Sequence, residues 1–135
     1  PIDMTQYKLK VHQDGHATPD CTKSLTGTLA VGDAYVIAIG ADTEIYNEGI
    51  AYDIKMGATC GINTNDYFLL TDIDDNVVDV WGDSSGADFT PNAGGYVYRR
   101  KLTATVPSTA WNENDWYVGL LAGGLQQSGA VSETV

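Results

Sequence analysis

Imidazole and thiol are scarce in this chain: 135 residues carry two histidines and two cysteines. The cysteines, Cys21 and Cys60, stand far apart with no C-x-x-C or Cys/His spacing, which argues against a zinc site. They leave a single disulfide or two buried thiols, and the disulfide is the favoured reading. It would close a loop of about 40 residues, contribute on the order of 4 kcal/mol through the restricted unfolded chain, and place the protein outside a reducing cytosol. Basic residues are also few. Lys plus Arg total 7 against 18 Asp plus Glu, a net charge of -11, which opposes binding to phosphate backbones or anionic lipid. Nucleic acid is therefore not an expected partner, and the acidity fits solubility, salt tolerance or cation attraction in an extracellular setting. No run of 18 apolar residues exists, so no membrane insertion by a helix is expected. No Asn-x-Ser/Thr acceptor occurs, so glycosylation marks no exposed face. The first residue is Pro1, with no charged-then-apolar leader after it, and this fits a processed product whose signal peptide has been removed.

Helical periodicity is missing too, since no window of a dozen residues carries an i, i+3, i+4, i+7 apolar stripe free of Gly or β-branched interruption. What the chain has instead is period two. Tyr7, Leu9 and Val11 alternate with Lys8, Lys10 and His12; Leu25, Leu29 and Val31 alternate with Thr26 and Thr28; Tyr52, Ile54 and Met56 alternate with Asp53 and Lys55. Residues 34–41 are apolar at nearly every position and read as a central strand covered on both sides. Runs at 67–70 and 77–81 flank an Asp-Asp-Asn turn and predict a hairpin. The stretch 94–124 reads as two long strands. Tyr96, Tyr98, Leu102, Ala104 and Val106 form the inner face of the first, Pro107 closes it, and Trp116, Val118 and Leu120 resume after a polar turn. The tail, 125–135, either adds a last short strand or frays. About 7–9 short strands separated by turn signals predict a single all-β domain over 1–135, an antiparallel two-sheet sandwich, immunoglobulin-like or jelly-roll-like, without significant helix. Residues 1–20 are expected to form a peripheral or exchanged N-terminal strand and its Gly/Pro-rich loop.

Val31-Gly32-Asp33, the run Asp74 to Val78, and the segment from Gly95 through Val106-Pro107-Ser108 to Asp115-Trp116-Tyr117-Val118 together resemble the immunoglobulin-like sandwiches of extracellular and surface proteins. The resemblance covers most of the chain, but no Trp lies between Cys21 and Cys60 as it would in antibody domains. It implies an interaction or structural module and transfers no active-site residues.

Gly82-Asp83-Ser84-Ser85-Gly86 satisfies G-x-S-x-G, yet no helix follows and no histidine lies downstream, so it reads as a Gly/Ser turn. His12 and His16, separated by a Gly-containing loop, read as surface residues rather than a metal pair. Asp72, Asp74 and Asp75 offer hard oxygen ligands for calcium without the glycine and distal glutamate of an EF-hand, and Asp83 with Asp88 forms a second acidic cluster. No other cofactor is implied. Trp111, Asn112, Glu113, Asp115 and Trp116 set aromatic faces beside carboxylate and amide groups, the chemistry that holds a sugar. The plainer account is that Trp116 starts an inward-facing strand and Trp111 covers the end of the core.

Two functions follow as expectations. The first is a non-catalytic structural module, secreted or on an extracellular or virion surface, that contacts itself or another surface protein. In it, the Tyr7, Leu9, Val11 strand completes a neighbour's sheet or its own. The alternative is a carbohydrate-binding module using Trp111, Trp116 and Trp81, with calcium structural or bridging.

Overall fold

The computed structural model describes residues 1–40, 51–60, 63, 65–87 and 96–120. The predicted tail at 125–135, the polar connection at 42–49 and Asp88 lie outside the described residues. The strands are β1 (Ile2–Asp3), β2 (Tyr7–His12), β3 (Cys21–Ser24), β4 (Thr28–Leu29), β5 (Ile37–Ile39), β6 (Ile54–Met56), β7 (Tyr67–Asp72), β8 (Val77–Trp81), β9 (Tyr96–Arg100) and β10 (Trp116–Leu120). Only single 3-10 turns interrupt them, and no described helix reaches seven residues. The main sheet has four strands in the order β3-β2-β7-β8, all antiparallel. Three two-stranded sheets accompany it: β1-β4, β5-β6 and β9-β10. The fold is all-β and mostly antiparallel, an arrangement compatible with a sandwich.

Directly opposed residues on neighbouring strands share a face. Cys21, Val11, Phe68 and Trp81 form one such row across the main sheet, and Thr22, Lys10, Leu69 and Val80 form the adjacent row on the opposite face. The first face carries the core. Val11, fully buried, meets Met56 and Cys60, and Leu9, Cys21, Ile37, Ile39 and Phe68 pack around them. The β5-β6 pair thus covers one end of this face. Cys21 and Cys60 are joined by a disulfide with Cα atoms 5.8 Å apart, which ties β3 to the turn after β6 beside the buried Val11. A disulfide fits an oxidising, extracellular environment.

The β7-β8 hairpin is closed by Asp72 to Asn76. Asp75 takes the left-handed conformation at φ 70°, which Asp tolerates better than most residues, and Asp72 Oδ1 accepts the N–H groups of Asp74 and Asn76. The strand considered for exchange with a neighbour, Tyr7 to Val11, pairs within its own chain. From Lys8 to Val11 every position is opposed by β3 on one side and β7 on the other.

Three strand expectations are corrected. The apolar run 34–41 is not a doubly covered central strand: it yields three half-buried residues, Ile37–Ile39, whose described pairing is parallel, to β6. Its start is capped, because Asp53 Oδ2 accepts the Val36 N–H at 2.7 Å while the Val36 carbonyl accepts from Asp53 and Ile54. Val31 does not face inward; it sits at the apex of a turn closed by Asp33 N–H to the Ala30 carbonyl, and is 88% exposed. The long strand expected to reach Val106 ends at Arg100. The Asp115 carbonyl accepts the Lys101 N–H, a 3-10 turn follows at Leu102–Ala104, and β10 begins opposite Arg100, so no described strand pairs with what comes after.

Because few of the described residues are fully buried, the crosslink is expected to carry a large share of stability. Replacing Cys21 and Cys60 together with Ser is expected to lower the free energy of unfolding by about 4 kcal/mol, measured by urea titration at neutral pH; a loss under about 1 kcal/mol would contradict this role.

Candidate functional site

β8 is an edge strand of the main sheet, and the side chains that flank it are the densest aromatic and charged cluster described. Phe68 and Trp81, opposed across β7 and β8, have centroids 5.2 Å apart. Trp81 then meets Tyr98 of β9 edge-on at 4.9 Å and Trp111 at 6.2 Å, and Trp111 in turn lies 6.2 Å from Trp116. The Arg100 guanidinium sits over the Trp116 ring, 4.7 Å from its centre, as a cation over a π face.

Arg100 is aimed by Asp79. The two form a bidentate pair at 2.7 and 2.8 Å, and Asp79 Oδ1 also accepts the Ser108 N–H at 3.0 Å. Partial burial alone would push the Asp79 carboxyl up, but the hydrogen bonds from Arg100 and Ser108 outweigh it and hold the group below its usual range. Ser108 Oγ donates to the Ala110 carbonyl and accepts the Ala110 N–H, so one carboxylate fixes both the end of β9 and the short turn that delivers Trp111.

On the face opposite the disulfide, a groove of about 500 Å³ runs beside β8. Its floor includes Tyr67, Leu69 and Val80; Asp83 and Ser84 form one wall, and Thr109 and Trp111 the other. Trp111 therefore both lines this groove and belongs to the aromatic cluster with Trp81 and Trp116. The Asp83 wall is set by a turn in which the Asp83 carbonyl accepts the Gly86 N–H and Asp83 Oδ1 accepts the Ser85 N–H. These hydrogen bonds from Ser85 keep the Asp83 carboxyl below its usual range. Gly82 enters this turn at φ 97°, where a Cβ would lie 2.5 Å from the Asp66 carbonyl. The G-x-S-x-G pattern is thus a turn following β8, as its composition predicts.

Of the five residues expected to hold a sugar, the structure separates the aromatics from the polar groups. Trp111 lines the groove, whereas Trp116 is under Arg100. Asn112 caps the 3-10 turn Glu113–Asp115, its Oδ1 accepting the Asn114 N–H and its Nδ2 donating to Asp115 Oδ1. Glu113 is exposed in that turn and does not line the groove. The groove's own polar residues, Asp83, Ser84 and Thr109, carry no local signal of convergence, because the pairing that brings them to Trp111 runs through Asp79.

The calcium expectation at Asp72, Asp74 and Asp75 is not met. Asp72 is engaged by Asn76 and by the turn's N–H groups, and Asp75 by Lys8 and Lys10 at 3.0 and 2.9 Å. Hydrogen bonds from Asn76 to Asp72, and from Lys10 and Lys8 to Asp75, lower both carboxyls. Among the described residues no three His, Cys, Asp or Glu side chains converge as metal ligands.

The histidines divide. His12 is not on the surface: it is 3% exposed, stacked on Tyr67 at 4.3 Å. The Tyr67 hydroxyl donates to the His16 carbonyl at 2.9 Å and lies 2.9 Å from His12 Nδ1. His16 is exposed and pairs through Nδ1 with Asp20 at 3.0 Å. That hydrogen bond, reinforced by the Asp20 charge, raises the His16 pKa above 6.5.

No protein-family model matches this chain, and no curated protein or solved structure matches it either.

Two measurements test these anchors. Asp79→Asn, which keeps the shape and removes the charge, is expected to cost roughly 2–3 kcal/mol and to alter tryptophan fluorescence by freeing Arg100. Because the Asp79 pKa is lowered by folding, this contribution is present above its unfolded value of about 3.8 and fades as pH falls through the folded one; acid titration of the wild type against the variant reads the difference. For His16 the sign is opposite. A raised folded pKa means its contribution is complete below 6.5 and is lost as pH rises through the raised value. The imidazole resonances should titrate above 6.5 and move down in Asp20→Asn; no change in that variant would refute the pairing.

Proposed function

We propose that this protein is a non-catalytic structural module of an extracellular or particle surface, acting by contact with copies of itself or with other surface proteins, as a subunit of a filament, surface layer or virion would. One observation carries the reading. Leu102 and Val106 have the alternation of a buried strand, yet they are 82% and 77% exposed. Tyr117 is 46% exposed as well, with the Lys101 ammonium 5.2 Å from its ring centre. A single exposed apolar side chain is ordinary, but a run patterned for burial and left in water is the composition of a contact surface. Each such side chain contributes about 1.5–3 kcal/mol when fully covered.

Three further features support the reading. The disulfide fits the compartment. Both imidazoles are held by neighbours, His12 at Tyr67 and His16 at Asp20. The N-terminal strand is paired on both sides within its own sheet, which favours a contact surface at the exposed 101–106 turn and Tyr117 over strand exchange.

At a net charge of -11, like copies repel at low ionic strength, so association should strengthen as salt screens them. Sedimentation velocity over a concentration series, in low and high salt, is expected to show reversible larger species. The double substitution Leu102→Ser with Val106→Ser should weaken self-association by about 10-fold or more while leaving the far-ultraviolet spectrum unchanged. A wild type that stays monomeric under all conditions, or larger species indifferent to the double substitution, would overturn the proposed self-contact.

A further inference from the structure

The groove beside β8 is separate from the 101–106 turn, and its chemistry points to a ligand rather than to a second protein. We propose that it is a binding subsite for one pyranose ring of a neutral glycan, with Trp111 as the stacking face and Asp83, Ser84 and Thr109 as its hydroxyl partners. The proposal does not depend on self-association.

The first argument is the wall. Trp111 is half-buried and packed beside Trp81 and Trp116, each 6.2 Å away between ring centres. An indole so held is oriented before any ligand arrives, which lowers the entropic cost of stacking against the apolar C–H face of a sugar. The second argument is the polar set. Asp83 is ionised and acceptor-only; Ser84 and Thr109 are exposed hydroxyls that donate and accept. A carboxylate with two hydroxyls around an aromatic wall matches the outward hydroxyls of a pyranose. The third argument is size. About 500 Å³ open to solvent, floored by Leu69 and Val80, accommodates a small ring and leaves its neighbours in the chain outside. Charge decides between sugar classes: the Asp83 carboxylate and the net charge of -11 repel uronate, sulfate and phosphate groups, so the ligand is neutral.

The turn that presents Trp111 is secured by Asp79 and not by the ligand, so the subsite is preformed. A single ring stacked on one indole, with few buried hydrogen bonds, gives a weak site with a dissociation constant on the order of 1 mM.

The test titrates the full-length, oxidised protein with neutral hexasaccharides of glucose, xylose, mannose, galactose and N-acetylglucosamine, and with polygalacturonate as the anionic control. Indole N–H shifts in two-dimensional nuclear magnetic resonance and calorimetry serve as readouts. At least one neutral hexasaccharide should shift one indole resonance saturably, and the anionic polymer should shift none. Asp83→Asn should weaken binding about 10-fold, and Trp111→Ala should abolish it. Because Trp111→Ala also loosens the aromatic cluster, Ala110→Tyr provides a second variant that fills the groove from an exposed position without removing a packed side chain. Retained binding in Ala110→Tyr would place the sugar elsewhere and overturn the proposal. So would the absence of any response up to about 10 mM hexasaccharide, or preferential binding of the anionic polymer.

Discussion

The pairing of Asp79 with Arg100 and Ser108 is the constraint on which the functional half of the molecule depends. Asp79 lies on the edge strand of the main sheet, while Arg100 ends β9 and Ser108 starts the turn to Trp111. These segments share no ladder with β8, yet a single carboxylate accepts from both. Removing one partner from such a half-buried charged set leaves the others desolvated and uncompensated, which costs more than forming the set gains. The aromatic cluster is arranged around this fixed point: Arg100 is held over Trp116, and Trp111 is delivered between Trp81 and Trp116.

Much of the main sheet was legible in the sequence because its stabilising pattern is local. The alternation of Tyr7, Leu9 and Val11 against Lys8, Lys10 and His12 states which residues share a face, and the acidic turn at 74–76 states where β7 and β8 reverse. What sequence could not supply were ends decided by distant groups. Apolar alternation continues past Arg100 to Val106, but the strand stops because Asp115 takes the Lys101 N–H and Asp79 takes the Arg100 side chain. The run at 34–41 looked like a central strand until Asp53, from a different segment, capped Val36. His12 looked like a surface residue because its partner, Tyr67, is far away in sequence. The indole of Trp111 was identifiable as a candidate, but its true polar neighbours were not, since the contact depends on one carboxylate bridging three segments.

The acidic composition shapes these contacts in a second way. With 7 basic residues against 18 acidic ones, each cation has a choice of partners, and four of them, Lys8, Lys10, Arg100 and Lys101, are placed at structural joints. Lys8 and Lys10 extend along the sheet to Asp75 at the hairpin tip; Arg100 joins β9 to β8; Lys101 covers Tyr117. Carboxylates with no cation to meet take backbone N–H groups instead. Asp3, Asp72 and Asp83 each cap a turn, and the buried Asp66 accepts from Asp14 and Asn63. Asp72 is the most fully engaged of them, accepting the Asp74 and Asn76 N–H groups and the Asn76 side chain, which leaves few lone pairs at the hairpin tip for a cation.

The distribution of buried groups separates the two faces of the main sheet by role. The disulfide, Val11, Met56 and Phe68 occupy one face, where burial is apolar and the crosslink limits the unfolded chain. The other carries His12, Tyr67 and Thr71, buried but polar, and opens at the β8 edge into the groove. On this face the Tyr67 hydroxyl reaches the His16 carbonyl and His12 Nδ1, whereas His12 Nε2 and Thr71 Oγ1 are buried without a hydrogen-bond partner. Leu102 and Val106 of the 101–106 turn, outside the main sheet, are exposed. Contact with another chain and contact with a sugar would therefore use different surfaces, each built by the segments that Asp79 ties to the sheet.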